Sequence, residues 1–105
     1  MMNDPTVLEA SLALADKLLQ KEKSEKIVSE GFERIICRKP QQKEIEILQN
    51  YYKNQVNQFT HNPAKAEKLI KVGFYKPVVT SKINLAALMQ TLQVIYNMEE
   101  AITKT

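Results

Sequence analysis

The sequence predicts an all-α fold, a compact bundle of about five helices, and three observations carry that expectation. Apolar residues recur at spacings of three and four along most of the chain, the periodicity of helices that bury one face. Boundary signals interrupt it: Asp4-Pro5, Lys39-Pro40 and Asn62-Pro63 place caps and prolines where helices begin or end. Turn chemistry for a many-stranded fold is scarce, with two glycines and four prolines in 105 residues. A length of 105 residues, 44% hydrophobic and 26% charged, suits one helical domain over residues 1–105 with one core.

The first helix runs from about Pro5 to about Gln20. Asp4 can accept hydrogen bonds from the free N–H groups of the first turn, and Pro5 fits the first helical position because it has no N–H to leave unpaired. Leu8, Leu12, Ala15 and Leu19, with Leu18 beside them, form its apolar stripe. Ser24 is placed to cap a second helix whose stripe is Ile27, Val28, Phe32, Ile35 and Ile36. Gly31 lies within that stripe, where glycine costs about 1 kcal/mol relative to alanine, so close approach of another helix is expected there. Arg38 and Lys39 suit the negative end of the helix dipole, and Pro40 closes the element.

A third helix begins after Pro40. Gln41 and Glu44 have the spacing of a capping box, although glutamine is a poor N-cap. Its stripe is Ile45, Leu48, Tyr52, Val56 and Phe59, widened by Ile47 and Tyr51. Asn62 and Pro63 start a short fourth helix that carries Ala66, Leu69, Ile70 and Val72 and stops at Gly73. From Phe74 to Lys82, Pro77 and the β-branched Val78, Val79 and Thr80 favour extended backbone, an ordered loop packed by Phe74 and Tyr75. The last helix runs from near Ser81 to about Thr103, with Leu85, Leu88, Met89, Leu92, Ile95, Tyr96 and Ile102 as its stripe.

Composition excludes several function classes. The net charge is +3, from 15 basic against 12 acidic residues. Their signs interleave, as in Lys21-Glu22-Lys23-Ser24-Glu25-Lys26, which describes a solvated surface rather than the one-signed patch that nucleic-acid binding needs. Nucleic acid is therefore not an expected partner. No apolar run approaches the roughly 20 residues that span a bilayer, so membrane insertion is not expected, and no signal peptide is visible. The single cysteine, Cys37, allows no internal disulfide. One histidine and one cysteine are too few for a His/Cys metal site. Phosphate-loop, dinucleotide and haem-attachment motifs are missing from the sequence. No catalytic residue, cofactor or metal is expected.

The residues that most resemble chemistry have structural readings. Cys37 precedes Arg38 and Lys39, which would lower a thiol pKa, but it also extends the Ile35-Ile36 run and reads as a small buried hydrophobe. His61, beside Asn62-Pro63, reads as a surface loop residue. Glu99 and Glu100 are adjacent on a helix and point apart, so they do not share a ligand. Asn97, flanked by apolar residues, is expected to hydrogen-bond the backbone of a neighbouring loop. Tyr51 and Tyr75 are the aromatics most open to exposure; Tyr52, Phe59, Phe74 and Tyr96 are expected to turn toward the core.

Three segments in order carry a family resemblance: Met2-Asn3-Asp4-Pro5-Thr6-Val7-Leu8-Glu9-Ala10; Gly31-Phe32-Glu33-Arg34-Ile35-Ile36-Cys37-Arg38-Lys39-Pro40 with Glu44; and Leu85-Ala86-Ala87-Leu88 running to Asn97-Met98-Glu99-Glu100-Ala101-Ile102. Together, over essentially the whole chain, they resemble the C-terminal part of the family called domain of unknown function 1553, the planctomycete-type PSD proteins. The family pattern is Asn-Asp-Pro, then Phe…Arg-x-Pro-(Ser/Thr)-x-x-Glu, then Asn-x-(Asp/Glu)-Glu. The chain departs from it at Gln41, where the family usually has Ser or Thr, and at Leu88-Met89-Gln90, where Trp or Thr is common. These departures touch capping and packing.

The resemblance implies a large extracytoplasmic bacterial protein, periplasmic or secreted, often with an N-terminal cytochrome-c-like domain. This chain would be a C-terminal fragment of it, with any haem ligands elsewhere. Asn3, Asp4, Pro5, Arg38, Pro40, Glu44, Asn97 and Glu100 are the characteristic positions, and caps and helix ends explain them without a ligand. The expected function is a non-catalytic structural or protein-interaction module that packs against other domains of its parent. The alternative is a small binding domain for an extracellular carbohydrate or envelope component.

Overall fold

Pro5 stands at the first position of α1 (Pro5–Lys21), where its rigid φ suits the helix and no hydrogen bond is lost. The computed structural model describes residues 5–21, 26–71 and 76–103, with side chains from Leu8 to Met98 within them. The Asp4 cap, the Ser24 cap, Val72, the Gly73 stop and the packing of Phe74 and Tyr75 lie outside the described residues. Beyond α1 the chain forms four more helices: α2 (Ile27–Ile36), α3 (Gln42–His61), α4 (Pro63–Ile70) and α5 (Lys82–Thr103). The all-helical expectation holds, within a residue or two at most boundaries.

The end of α2 differs from expectation. The helix stops at Ile36, and Cys37 adopts the left-handed conformation (φ 66°, ψ 28°) while its N–H donates to the Glu33 carbonyl at 2.9 Å. A left-handed residue after the last helical turn satisfies an orphan carbonyl and reverses the chain. That geometry carries the Cys37 side chain into solvent. The expectation of a buried cysteine is therefore wrong: the apolar run ends with buried Ile35 and half-buried Ile36.

A single residue, Asn62, separates α3 from α4, so the chain turns there rather than looping. Its N–H donates to the Gln58 carbonyl at 3.0 Å and its carbonyl accepts from Lys65 at 3.1 Å. The turn is made by backbone; the Asn62 side chain, expected to cap α4, makes no capping hydrogen bond. Pro63 occupies the first turn of α4 as expected.

The helices are arranged around α5. It packs against each of the other four, while α1 meets α2, α2 meets α3, and α3 meets α4. Leu85, Ala86, Ala87, Leu88 and Met89 are all 0% exposed, and so are Thr91, Leu92 and Ile95. The sequence predicts a one-sided stripe, but this stretch is buried all round, as a central helix must be. Each fully buried leucine contributes about 1.5–3 kcal/mol. Thr91 meets the demands of burial locally, its hydroxyl donating to the Ala87 carbonyl one turn back at 2.9 Å. One cluster of buried side chains draws on all five helices, from Leu12 in α1 to Ile95 in α5.

Gly31 lets this centre close. A Cβ built there would lie 2.5 Å from Leu92 Cδ2 and 3.3 Å from Leu18 Cδ1. The close approach expected from the sequence is thus real, and it joins α2 to both α5 and α1. Gly31→Ala gains about 1 kcal/mol of helix propensity but overpacks a core in which Leu92 is wholly enclosed, a change that costs about 1–3 kcal/mol. We predict net destabilisation of up to about 2 kcal/mol in urea unfolding; a more stable variant would show that Leu92 yields freely.

Candidate functional site

Among the described residues, those that could carry chemistry include two hydrogen-bonded clusters and the lining of an open cleft. The first cluster is the turn from α2 to α3. Glu44 lies in the first turn of α3, and its Oε1 accepts the Gln41 N–H at 2.9 Å, half of a capping box. The same carboxylate takes a two-pronged grip from Arg38, with Nη1 donating to Oε1 and Nη2 to Oε2, each at 2.9 Å. Arg38 also donates to the Lys39 carbonyl at 3.2 Å and lies 5.1 Å from the centre of the Phe32 ring, a cation–π contact. Arg38, Pro40 and Glu44 thus clasp the turn and tie it back to the core.

This arrangement suits structure better than catalysis. The Arg38 hydrogen bonds, and after them the Gln41 N–H, hold the Glu44 carboxyl down to about 2, while the same pairing raises the Arg38 guanidinium above its ordinary value. A carboxylate already engaged through both oxygens and ionised at neutral pH is a poor general acid or base.

The second cluster centres on a residue that sequence reasoning misses. Asp16 in α1 is 0% exposed. Its Oδ1 accepts the N–H groups of Val78 at 3.1 Å and Val79 at 3.0 Å, and its Oδ2 accepts Val78 at 3.0 Å. The segment between α4 and α5 is thereby fastened to α1. A signal exists: Asp16 is four residues after Leu12 and three before Leu19, so it lies on the face that must be buried. A charge there requires partners.

The open cleft lies between α1, α2 and α5, with a volume of about 490 Å³. Ala10, Ala13 and Leu14 form its α1 wall, Ile35 and Tyr96 supply apolar surface from α2 and α5, and Lys17 and Arg34 bring positive charge. Arg34 pairs through Nε with Glu30 at 3.3 Å.

The remaining sequence candidates are dispersed. His61 ends α3 on the exposed surface, with Nδ1 2.8 Å from the Asn57 carbonyl. Tyr51 and Tyr52 are half-buried, and burial raises both phenols above their usual value. Phe59 is buried and Tyr96 half-buried, as expected of core-facing rings. Asn97 is half-buried, and no hydrogen bond joins its amide to another described residue. The side chains of Glu99 and Glu100 lie outside the described residues. Among the described residues, no group of three or more His, Cys, Asp or Glu is placed to hold a metal ion, and no helix is long and apolar enough to cross a membrane.

The clasp has a measurable acid signature. Because Glu44 is depressed to about 2 from an ordinary 4.5, its stabilising contribution is complete above the ordinary value and is lost as pH falls through this window toward about 2. Wild type should exceed Glu44→Gln in urea midpoint at pH 6, and the gap should shrink progressively as pH falls from about 4.5 to about 2. A gap independent of pH would mean that the ionised clasp does not stabilise the turn.

The family model described as PSD1, protein of unknown function (DUF1553), matches residues 1–52, a span that includes Pro5, Arg38, Pro40 and Glu44 and ends within α3. Asn97 and Glu100 lie beyond it. No curated protein and no solved structure matches the chain. With the Arg-x-Pro-x-x-x-Glu clasp formed and the match spanning α1, α2 and the start of α3, the chain belongs to the DUF1553 family.

Proposed function

We propose that this chain is a non-catalytic packing module that docks against other domains of a larger extracytoplasmic protein. The observation that carries the reading is the open cleft between α1, α2 and α5, where Ala10, Ala13, Leu14 and Tyr96 present apolar surface beside Lys17 and Arg34. Apolar side chains held at a surface by three helices are a cost in water and a gain when covered. Support also comes from the family-type residues. Arg38, Pro40 and Glu44 are engaged in closing a turn, which leaves the exposed surface as the place where this module meets its surroundings. The extracytoplasmic setting rests on the family resemblance.

The test compares this chain alone with a longer protein that contains it. In a Cys37→Ser background, which removes the exposed native thiol, Ala13→Cys places a label at the cleft wall. Thiol modification of that position should slow at least about tenfold in the longer protein, because the centre of an interface excludes water. Equal labelling rates in the two would defeat the docking reading.

A further inference from the structure

We infer that the occupant of the α1/α2/α5 cleft is an amphipathic helix whose apolar stripe is flanked by carboxylates, an inference that rests on the docking reading and adds the chemistry of the partner. Three features select it. Ala10, Ala13, Leu14 and Lys17 stand at i, i+3, i+4 and i+7 along α1, a single helical face about 10 Å long. Two of these side chains are methyl groups, so a second backbone can approach closely and seat its ridge between α1 and the surface given by Ile35 and Tyr96.

The cleft is also open to solvent, and a volume of about 490 Å³ has room for several aliphatic side chains. The third feature is charge. Lys17 and Arg34 come from different helices to the same cleft, and no acidic residue is among those lining it. Arg34 engages Glu30 through Nε, so the two Nη groups of its guanidinium still present donors toward an incoming carboxylate. A stripe with acidic flanks would give Lys17 a counter-charge and the Arg34 Nη groups acceptors beyond the Glu30 pair, and one with basic flanks would be repelled.

The probe is a pair of synthetic helical peptides with leucines at i, i+3, i+4 and i+7. One carries glutamates at the flanking positions and the other lysines. Titrated into this chain, the glutamate peptide should shift the NMR signals of Leu14, Ile35 and Tyr96 and bind roughly tenfold tighter than the lysine peptide at low salt. The double variant Lys17→Glu, Arg34→Glu should abolish or invert that preference while leaving the far-ultraviolet circular dichroism unchanged. Equal binding of the two peptides, or shifts confined to other surfaces, overturns the inference. Failure here alongside slowed labelling at position 13 in the longer protein removes the acidic helix and leaves docking standing. Unchanged labelling removes docking itself.

Discussion

A carboxylate with no exposed surface, Asp16, sits in α1 and is balanced by the backbone N–H groups of Val78 and Val79. Burying an ionised carboxylate without partners costs several kcal/mol, and main-chain N–H groups left unpaired inside a protein carry a penalty of their own. Each side therefore needs the other. The consequence reaches beyond the local bonds, because Val78 and Val79 lie in the segment that leads into α5. Fixing them beside α1 fixes where α5 begins, and Leu85 N–H then closes the first turn on the Ser81 carbonyl at 3.0 Å.

The core depends on that placement. α5 touches every other helix, so the four surrounding helices share a centre rather than forming independent pairs. Residues 1–52, the span matched by the family, bury Leu12, Leu18, Val28 and Phe32 in a cluster that α5 completes. The matched half therefore depends on the half beyond it. Gly31 plays the same part from the other side, since the absence of its Cβ is what admits Leu92. The Arg38–Glu44 clasp is peripheral by comparison. It holds one turn and is exposed enough for solvent to screen it.

Local features of this architecture are legible in the sequence. Pro5, Pro40 and Pro63 mark helix limits because proline acts on its own backbone, and the stripes of α1 and α2 appear in the structure nearly residue for residue. Gly31 is legible as a close approach, though not which side chains approach. Cys37 misleads because apolar neighbours suggest burial while the left-handed exit of α2, a backbone event with no glycine to announce it, decides exposure. Asp16 is illegible as an anchor, since Val78 and Val79 lie 62 and 63 residues away and bond it through backbone groups that almost any residue could supply. The cleft is equally hidden, because it exists only where three helices converge.

Hydrogen exchange at the Val78 and Val79 amides, in wild type and in Asp16→Ala, tests the central role of the buried carboxylate most directly. In wild type both amides should be protected to a degree comparable with the core amides of α5, although Val78 has an exposed side chain. In Asp16→Ala they should exchange at the rate of an open loop, and the protein should lose about 2–4 kcal/mol of stability. Equal exchange in the two proteins, with stability unchanged, would contradict a fold organised around this interaction.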